Sequence, residues 1–282
     1  TDLGGFVLAS VSPSAEYMIG AGETIALSVS APSGSTVKAT LGSQTVTLRQ
    51  STKPSGSGAY LAATYTGTLT APSCDAKSVT DLGKIVFSAS KKGESAEKTG
   101  ANVSVIGASA TRVIEVVRED SELKVAQNSW YYDDYTPAVT GMRDQALWMT
   151  NGMYKLRMGG FISCDSVRVL DGQTVVSAAK TADARIADEG GYTRFSVKCE
   201  ENVPLNGYVE DGRFVLTLYN TANAAPAELG DNPLFSAVST ASGAKANSVR
   251  YYLTLKDIEN FYGFSFSYEN GCVIVDFRNP SG

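Results

Sequence analysis

Arg194-Phe195-Ser196-Val197 and Arg250-Tyr251-Tyr252-Leu253 open the same series of events twice. Thirteen residues after each arginine come Gly207-Tyr208 and Gly263-Phe264, followed by the dipeptides Asp211-Gly212 and Asn270-Gly271. Eight residues past those last glycines stand Asn220 and Asn279. Between them run two apolar stretches, Phe214-Val215-Leu216-Thr217-Leu218 and Val273-Ile274-Val275-Asp276-Phe277; the offset is 56 residues at the early anchors and 59 at the late ones. Asp-Gly and Asn-Gly favour the two-residue hairpin turn, whose central positions both need positive φ. Each half therefore reads as strand, excursion, strand, tight turn, strand. Two such halves predict a duplicated β-sandwich with an approximate twofold axis over residues 172–282.

The same period of two extends outward. Thr24-Ile25-Ala26-Leu27-Ser28-Val29 and Thr45-Val46-Thr47-Leu48 alternate apolar and polar residues, and Gly, Pro and Ser clusters bound them. Further strand signals lie at Phe6-Val7-Leu8, Ile25 to Val29, Val37 to Leu41, Val46 to Leu48, Tyr60 to Leu69, Ile85 to Ala89 and Val103 to Ile106. Seven short strands over residues 1–107 predict an immunoglobulin-like sandwich, here without a Cys-Trp-Cys core. Near residue 108 the composition shifts: Trp130, Tyr131, Tyr132, Tyr135, Met142, Trp148, Met149, Met153, Tyr154 and Met158 crowd into a second unit, 108–171. Lys256 to Asn260 has weak helical character and is too short to count as a helix. The reading is an all-β chain with three β domains in series.

Composition narrows the chemistry. With 282 residues, 43% hydrophobic, 19% charged and 9 Pro, the chain has enough apolar material for folded cores, and it is too long for one small domain. It contains no histidine. That removes Ser-His-Asp and Cys-His pairs, His-ligated zinc and the commonest general base at neutral pH. The 24 Lys+Arg against 29 Asp+Glu give a net charge of -5 with no basic run, contrary to the footprint of a nucleic-acid binder. No apolar stretch approaches the ~20 residues of a bilayer span. Residue 1 is Thr, with which a mature secreted protein and a trimmed chain agree equally. Cys74, Cys164, Cys199 and Cys272 form no C-x-x-C pair, and Cys199 continues the face of Phe195 and Val197, which reads as buried thiols rather than bridges.

Four groups of residues remain as candidate chemistry. Asp133-Asp134 is the one acidic pair beside an aromatic cluster, but adjacent acids on a loop point apart, which argues against a carboxylate enzyme. Ser88-Ala89-Ser90-Lys91, Ser95-Ala96-Glu97-Lys98 and Lys98-Thr99-Gly100 fit the S-x-x-K and K-T-G spacings. They overlap within strand and turn instead of converging across a cleft, which marks them as coincidence. Trp130, Tyr131, Tyr132 and Tyr135 offer stacking faces for a sugar ring or peptide; in a strand Trp130 and Tyr132 share one face and Tyr131 takes the other. Arg194 and Arg250, at equivalent repeat positions, can hold a peptide carboxylate bidentately or anchor a turn.

Gly152-Met153-Tyr154-Lys155-Leu156-Arg157-Met158-Gly159-Gly160-Phe161-Ile162 resembles the strand-turn-strand that ends bacterial SH3-like domains. Val116-Val117-Arg118 and the segment Tyr132 to Gly141 resemble that family's earlier motifs, with Met153 and Phe161 where the family carries tryptophan. The duplicated unit, through Gly191-Tyr192-Thr193-Arg194-Phe195, Val273-Ile274-Val275-Asp276-Phe277 and Arg278-Asn279-Pro280, resembles the AMIN domains that precede the catalytic domain of bacterial N-acetylmuramoyl-L-alanine amidases. In that order, immunoglobulin-like, SH3-like and AMIN-like units resemble the non-catalytic front of a Gram-positive wall amidase. The resemblance implies a secreted, cell-wall or cell-surface location, peptidoglycan as partner, and a zinc-dependent amidase domain downstream. It implies no catalytic residue, cofactor or metal in these residues. The competing expectation is a surface adhesin or carbohydrate-binding protein with no catalytic domain.

Overall fold

The computed structural model describes residues 3–124, 137–170 and 172–281. Their regular structure is almost entirely strand, joined by turns and loops that include two short 3-10 turns, Cys164–Ser166 and Ile258–Asn260. The second of these is all that the weak helical pattern at Lys256 to Asn260 produces. The chain divides into two compact units, one of residues 1–111 with 147–155 and one of residues 112–146 with 156–282.

The first unit contains β1 (Ala9–Ser12), β2 (Tyr17–Gly20), β3 (Thr24–Pro32), β4 (Thr36–Leu41), β5 (Gln44–Gln50), β6 (Ala62–Thr70), β7 (Val79–Lys91) and β8 (Glu94–Ile106). One layer runs β1-β3-β6 and the other β4-β7-β8-β2, while β5 joins both: it pairs with β4 through Val46 and Leu48, then with β6 at Arg49 and Gln50. Alternation places Ile25, Leu27 and Val29 inward with Val37, Ala39, Ile85, Phe87 and Val103, all buried. The result is the two-sheet sandwich that the alternation implies.

Three details differ from the sequence reading. Phe6 to Leu8 form no strand, because Gly4 at φ 66 turns the chain and β1 starts only at Ala9. Strand β2, too short for periodicity to show, pairs in parallel with β8. The paired strands β7 and β8 run 13 residues each and include the S-x-x-K and K-T-G segments. In an extended strand residues three apart face opposite sides, so Ser88 cannot meet Lys91, whose Nζ instead donates to the Ser33 carbonyl at 2.7 Å.

The second unit begins with β9 (Arg112–Val116) and β10 (Leu123–Lys124). Next in the chain come β11 (Arg143–Thr150) and β12 (Met153–Leu156), of which residues 147–155 belong to the first unit, then β13 (Phe161–Ser163) and β14 (Val167–Leu170) of the second. Strand β9 lies between β14 and residues 143–146 of β11, and β10 pairs with β13. Residues on both sides of the expected cut near 171 belong to this one unit. The Asn202 amide donates to the Gly141 carbonyl at 2.8 Å, and Arg143 N–H to the Asn202 carbonyl at 2.9 Å.

From residue 181 onward come β15 (Thr181–Asp188), β16 (Tyr192–Cys199), β17 (Leu205–Glu210), β18 (Arg213–Leu218), β19 (Ala227–Leu229), β20 (Phe235–Ser242), β21 (Val249–Leu255), β22 (Phe264–Glu269) and β23 (Cys272–Arg278). They form two sheets, β19-β15-β16-β23-β22 and β17-β18-β21-β20. The repeat is exchanged between them: β16 of the first half pairs with β23 of the second, and β21 of the second with β18 of the first. Equivalent residues Phe195 and Tyr251 meet edge to face between the sheets, ring centroids 4.9 Å apart. Both dipeptide turns take positive φ at both residues, 51° and 72° at Asp211-Gly212, 51° and 73° at Asn270-Gly271.

Ladder register corrects one anchor of the repeat. Gly207 pairs with Leu216, and Phe266 with Val275. The equivalent of Gly207 is therefore Phe266, not Gly263, and the extra residues lie in the connection between β21 and β22. The two equivalents compete for one space: a Cβ on Gly207 would stand 2.8 Å from the Phe266 ring and 2.5 Å from that of Phe214. Only one of the two positions has room for a side chain.

Candidate functional site

Trp130, Tyr131, Tyr132 and Tyr135, with Asp133 and Asp134, lie outside the described residues. Arg194 and Arg250 are both described, and the exchanged repeat places them on the outer faces of opposite sheets of the sandwich. They do not share a site.

On the first sheet, Arg194 stands directly across from Asp276. Its Nε and Nη2 donate to the two carboxylate oxygens at 2.8 and 2.9 Å, a parallel two-bond fork. The Tyr192 ring lies 5.3 Å from the guanidinium carbon and Glu269 adds a longer ion pair of 3.7 Å. Hydrogen bonding to Asp276 raises the Arg194 pKa above its ordinary value. Arg194 is a sheet anchor whose Nε–Nη2 fork is already engaged by Asp276.

Arg250 has the same position in the other half, but its cross-strand neighbour is Thr217. No acid among the described residues forms an ion pair with it, and its Nε is buried without a hydrogen-bond partner. Its proton is held chiefly by hydrogen bonding to the Tyr252 hydroxyl, opposed by burial, with smaller contributions from Tyr208 and Tyr219. Beyond Thr217 in the same row stands Asn206, whose Nδ2 donates to the Tyr219 hydroxyl at 2.7 Å while its Oδ1 is buried and unpartnered.

The adjacent row carries Tyr208, Val215 and Tyr252. Arg213 lays its guanidinium 4.4 Å from the Tyr252 ring centroid. Val215 and Thr217 form a buried floor, and the arginines, tyrosines and Asn206 around them are half-buried. Strand alternation explains the grouping: Leu205, Phe214, Leu216, Leu218, Tyr251 and Leu253 take the inner face, which leaves Asn206, Tyr208, Val215, Thr217, Arg250 and Tyr252 outside. Of this set only Arg250 stands out in the sequence. The others become visible once the ladder register is known.

A second outer surface lies beside Arg194. Tyr192, Tyr262, Phe264, Asp276 and Arg278 line a shallow groove of about 420 Å³, and Tyr262 is 54% exposed. Cys74, Cys199 and Cys272 are half-buried free thiols, and burial pushes the Cys199 thiol above its ordinary pKa. Among the described residues no cluster of three or more Cys, Asp or Glu is placed to hold a metal, and no helix is long and apolar enough to cross a membrane.

No family model and no curated protein matches the chain. Among solved structures it is similar to an I-band fragment from titin, at 8% identity over 96% of this chain and 88% of that one. The TM-score of 0.20 is too low for that likeness to bear on fold or function.

Proposed function

We propose that this chain is the peptidoglycan-binding and targeting region of a secreted cell-wall hydrolase, an N-acetylmuramoyl-L-alanine amidase whose zinc-dependent catalytic domain lies C-terminal to it. The order of immunoglobulin-like, SH3-like and AMIN-like segments supports the reading. The observation that carries it is the Arg250 face, where two arginines, three tyrosines and an amide surround a buried floor on the outside of the duplicated sandwich. Guanidinium groups and aromatic faces together suit a peptide-bearing glycan, which presents carboxylates, amides and sugar rings. These residues serve for attachment, and hydrolysis belongs to the downstream domain.

Cosedimentation with purified peptidoglycan, alongside cellulose and host-type glycans, tests attachment. Retention on peptidoglycan above the other polymers is expected. Retention on host glycans alone points to an adhesin and overturns the reading. The coding sequence beyond Gly282 tests the second part: a strand followed by Asp-Pro-Gly-His-Gly agrees with it, and a stop codon contradicts it.

A further inference from the structure

We infer that the Arg250 face is a receptor for a peptide carboxylate, which takes the place that Asp276 occupies beside Arg194. Wall targeting is invoked only for the source of the carboxylate, the stem peptide of peptidoglycan.

The exchanged repeat supplies an internal comparison. One outer face has the row Ala187, Arg194, Asp276 and Ser265; the other has Ala241, Arg250, Thr217 and Asn206. The arginine is common to both rows and the acid is present in one. Where the acid is present, both fork nitrogens are used. Where it is replaced by Thr217, Arg250 Nε and one polar atom of Asn206 are buried without partners, on either side of that threonine.

Buried polar groups are almost always paired, so two orphans flanking one position mark what the position lacks. Arg250 Nε is a donor that lacks an acceptor, and Asn206 Oδ1 is an acceptor that lacks a donor; a peptide chain end offers both, a planar negative carboxylate for the guanidinium and a backbone N–H for the amide oxygen. Tyr208 and Tyr252, with Arg213 stacked on the latter, wall the place with flat apolar area suited to a peptide chain. A guanidinium fork fits a carboxylate in two parallel bonds, which a lysine cannot reproduce.

The experiment is a calorimetric or NMR titration of the whole chain with N-acetyl-Ala-Ala bearing a free C-terminal carboxylate. The same peptide amidated, N-acetyl-Glu amide and inorganic phosphate serve as separate arms. The free carboxylate peptide is expected to bind at least tenfold tighter than the amidated one. Comparable binding of N-acetyl-Glu amide assigns the site to side-chain acids, and weaker binding to chain ends. Thr217→Asp gives Arg250 the partner that Arg194 already has, and is expected to lower peptide affinity at least tenfold with the β-sheet circular dichroism retained. Arg250→Gln repeats the test should Thr217→Asp fail to fold, and Arg250→Lys should weaken binding despite keeping the charge.

Equal binding of the amidated peptide, phosphate competing as well as the peptide, or native affinity in folded Thr217→Asp or Arg250→Gln would each overturn the inference. Cosedimentation with peptidoglycan that neither substitution disturbs would keep wall targeting and remove the receptor. Peptide binding without cosedimentation would do the reverse.

Discussion

Asn220 Nδ2 donates to Asp144 Oδ1 at 3.0 Å across 76 residues of chain, and Asp144 has no exposed surface. The same carboxylate accepts from Gln145 N–H at 2.8 Å and, through Oδ2, from Met158 N–H at 3.0 Å. It therefore ties strand β11, the turn at Met158 and the segment that follows β18 together. Asn220 has φ 51°, a left-handed conformation that asparagine tolerates well. Asp144→Ala leaves the Met158 amide and the Asn220 side chain buried without acceptors. A loss of about 3–5 kcal/mol in urea unfolding is expected. A loss below about 1 kcal/mol would show that water or rearrangement replaces the carboxylate.

Two carboxylates of this unit titrate in opposite directions. Burial pushes the Asp144 pKa above its ordinary 3.8, against the pull of its three hydrogen bonds. A raised native pKa means that the folded state binds the proton more tightly, so stability from this group falls as pH rises from 3.8 through the raised value. At Glu115 burial also pushes upward, but hydrogen bonds from Arg143 and Arg168 outweigh it and the net pKa lies below 4.5. Its contribution is present above 4.5 and is lost as pH falls through the lowered value. Unfolding of native protein and Asp144→Asn should accordingly show a stability difference that shifts against the native chain as pH rises. A shift in the other direction would contradict the assignment.

Arg194 and Asp276 should be coupled in stability. Each side chain is 27% exposed, so solvent weakens the pair while the two-bond geometry strengthens it. A double-mutant cycle of Arg194→Gln and Asp276→Asn is expected to give a coupling of about 0.5–1.5 kcal/mol, smaller at high salt. A coupling indistinguishable from zero would mean that the fork adds nothing to the fold.

Tyr251, the repeat equivalent of Phe195, is wholly buried, with its hydroxyl donating to the Ala225 carbonyl at 2.7 Å. Burial pushes its pKa up to about 12. Tyr251→Phe should cost about 1–2 kcal/mol by orphaning that carbonyl. In ultraviolet titration the native-minus-variant difference should rise near pH 12. A difference centred near the model-peptide value of about 10 would show an exposed phenol.

Strand class was legible wherever one face is buried, as at Ile25, Leu27 and Val29, because alternation then maps directly onto burial. It failed at β2, where Met18 and Ile19 are both buried and no alternation survives, and along β8, where Glu94 to Thr99 is polar and mostly exposed yet paired throughout. The duplication was legible from spacing, but its register was not: Gly-aromatic pairs placed Gly207 opposite Gly263, and only the ladder showed Phe266 there. Arg194 and Arg250 look identical in sequence. What separates them is the residue across the strand, Asp276 or Thr217, and strand pairing alone brings those neighbours together. Trp130, Tyr131, Tyr132 and Tyr135 lie outside the described residues, so stacking from them is still a sequence expectation.

Cosedimentation with peptidoglycan, with and without teichoic acid, across a salt series tests the central claim most directly. A chain of net charge -5 gains nothing from long-range attraction to an anionic wall, so attachment must come from short-range contacts such as those of the Arg250 face. Added salt then screens the net repulsion, and binding should be unchanged or slightly tighter from low to physiological ionic strength. A loss of more than about tenfold over that range, ~1.4 kcal/mol, would show that a long-range basic patch dominates and would contradict recognition by these residues.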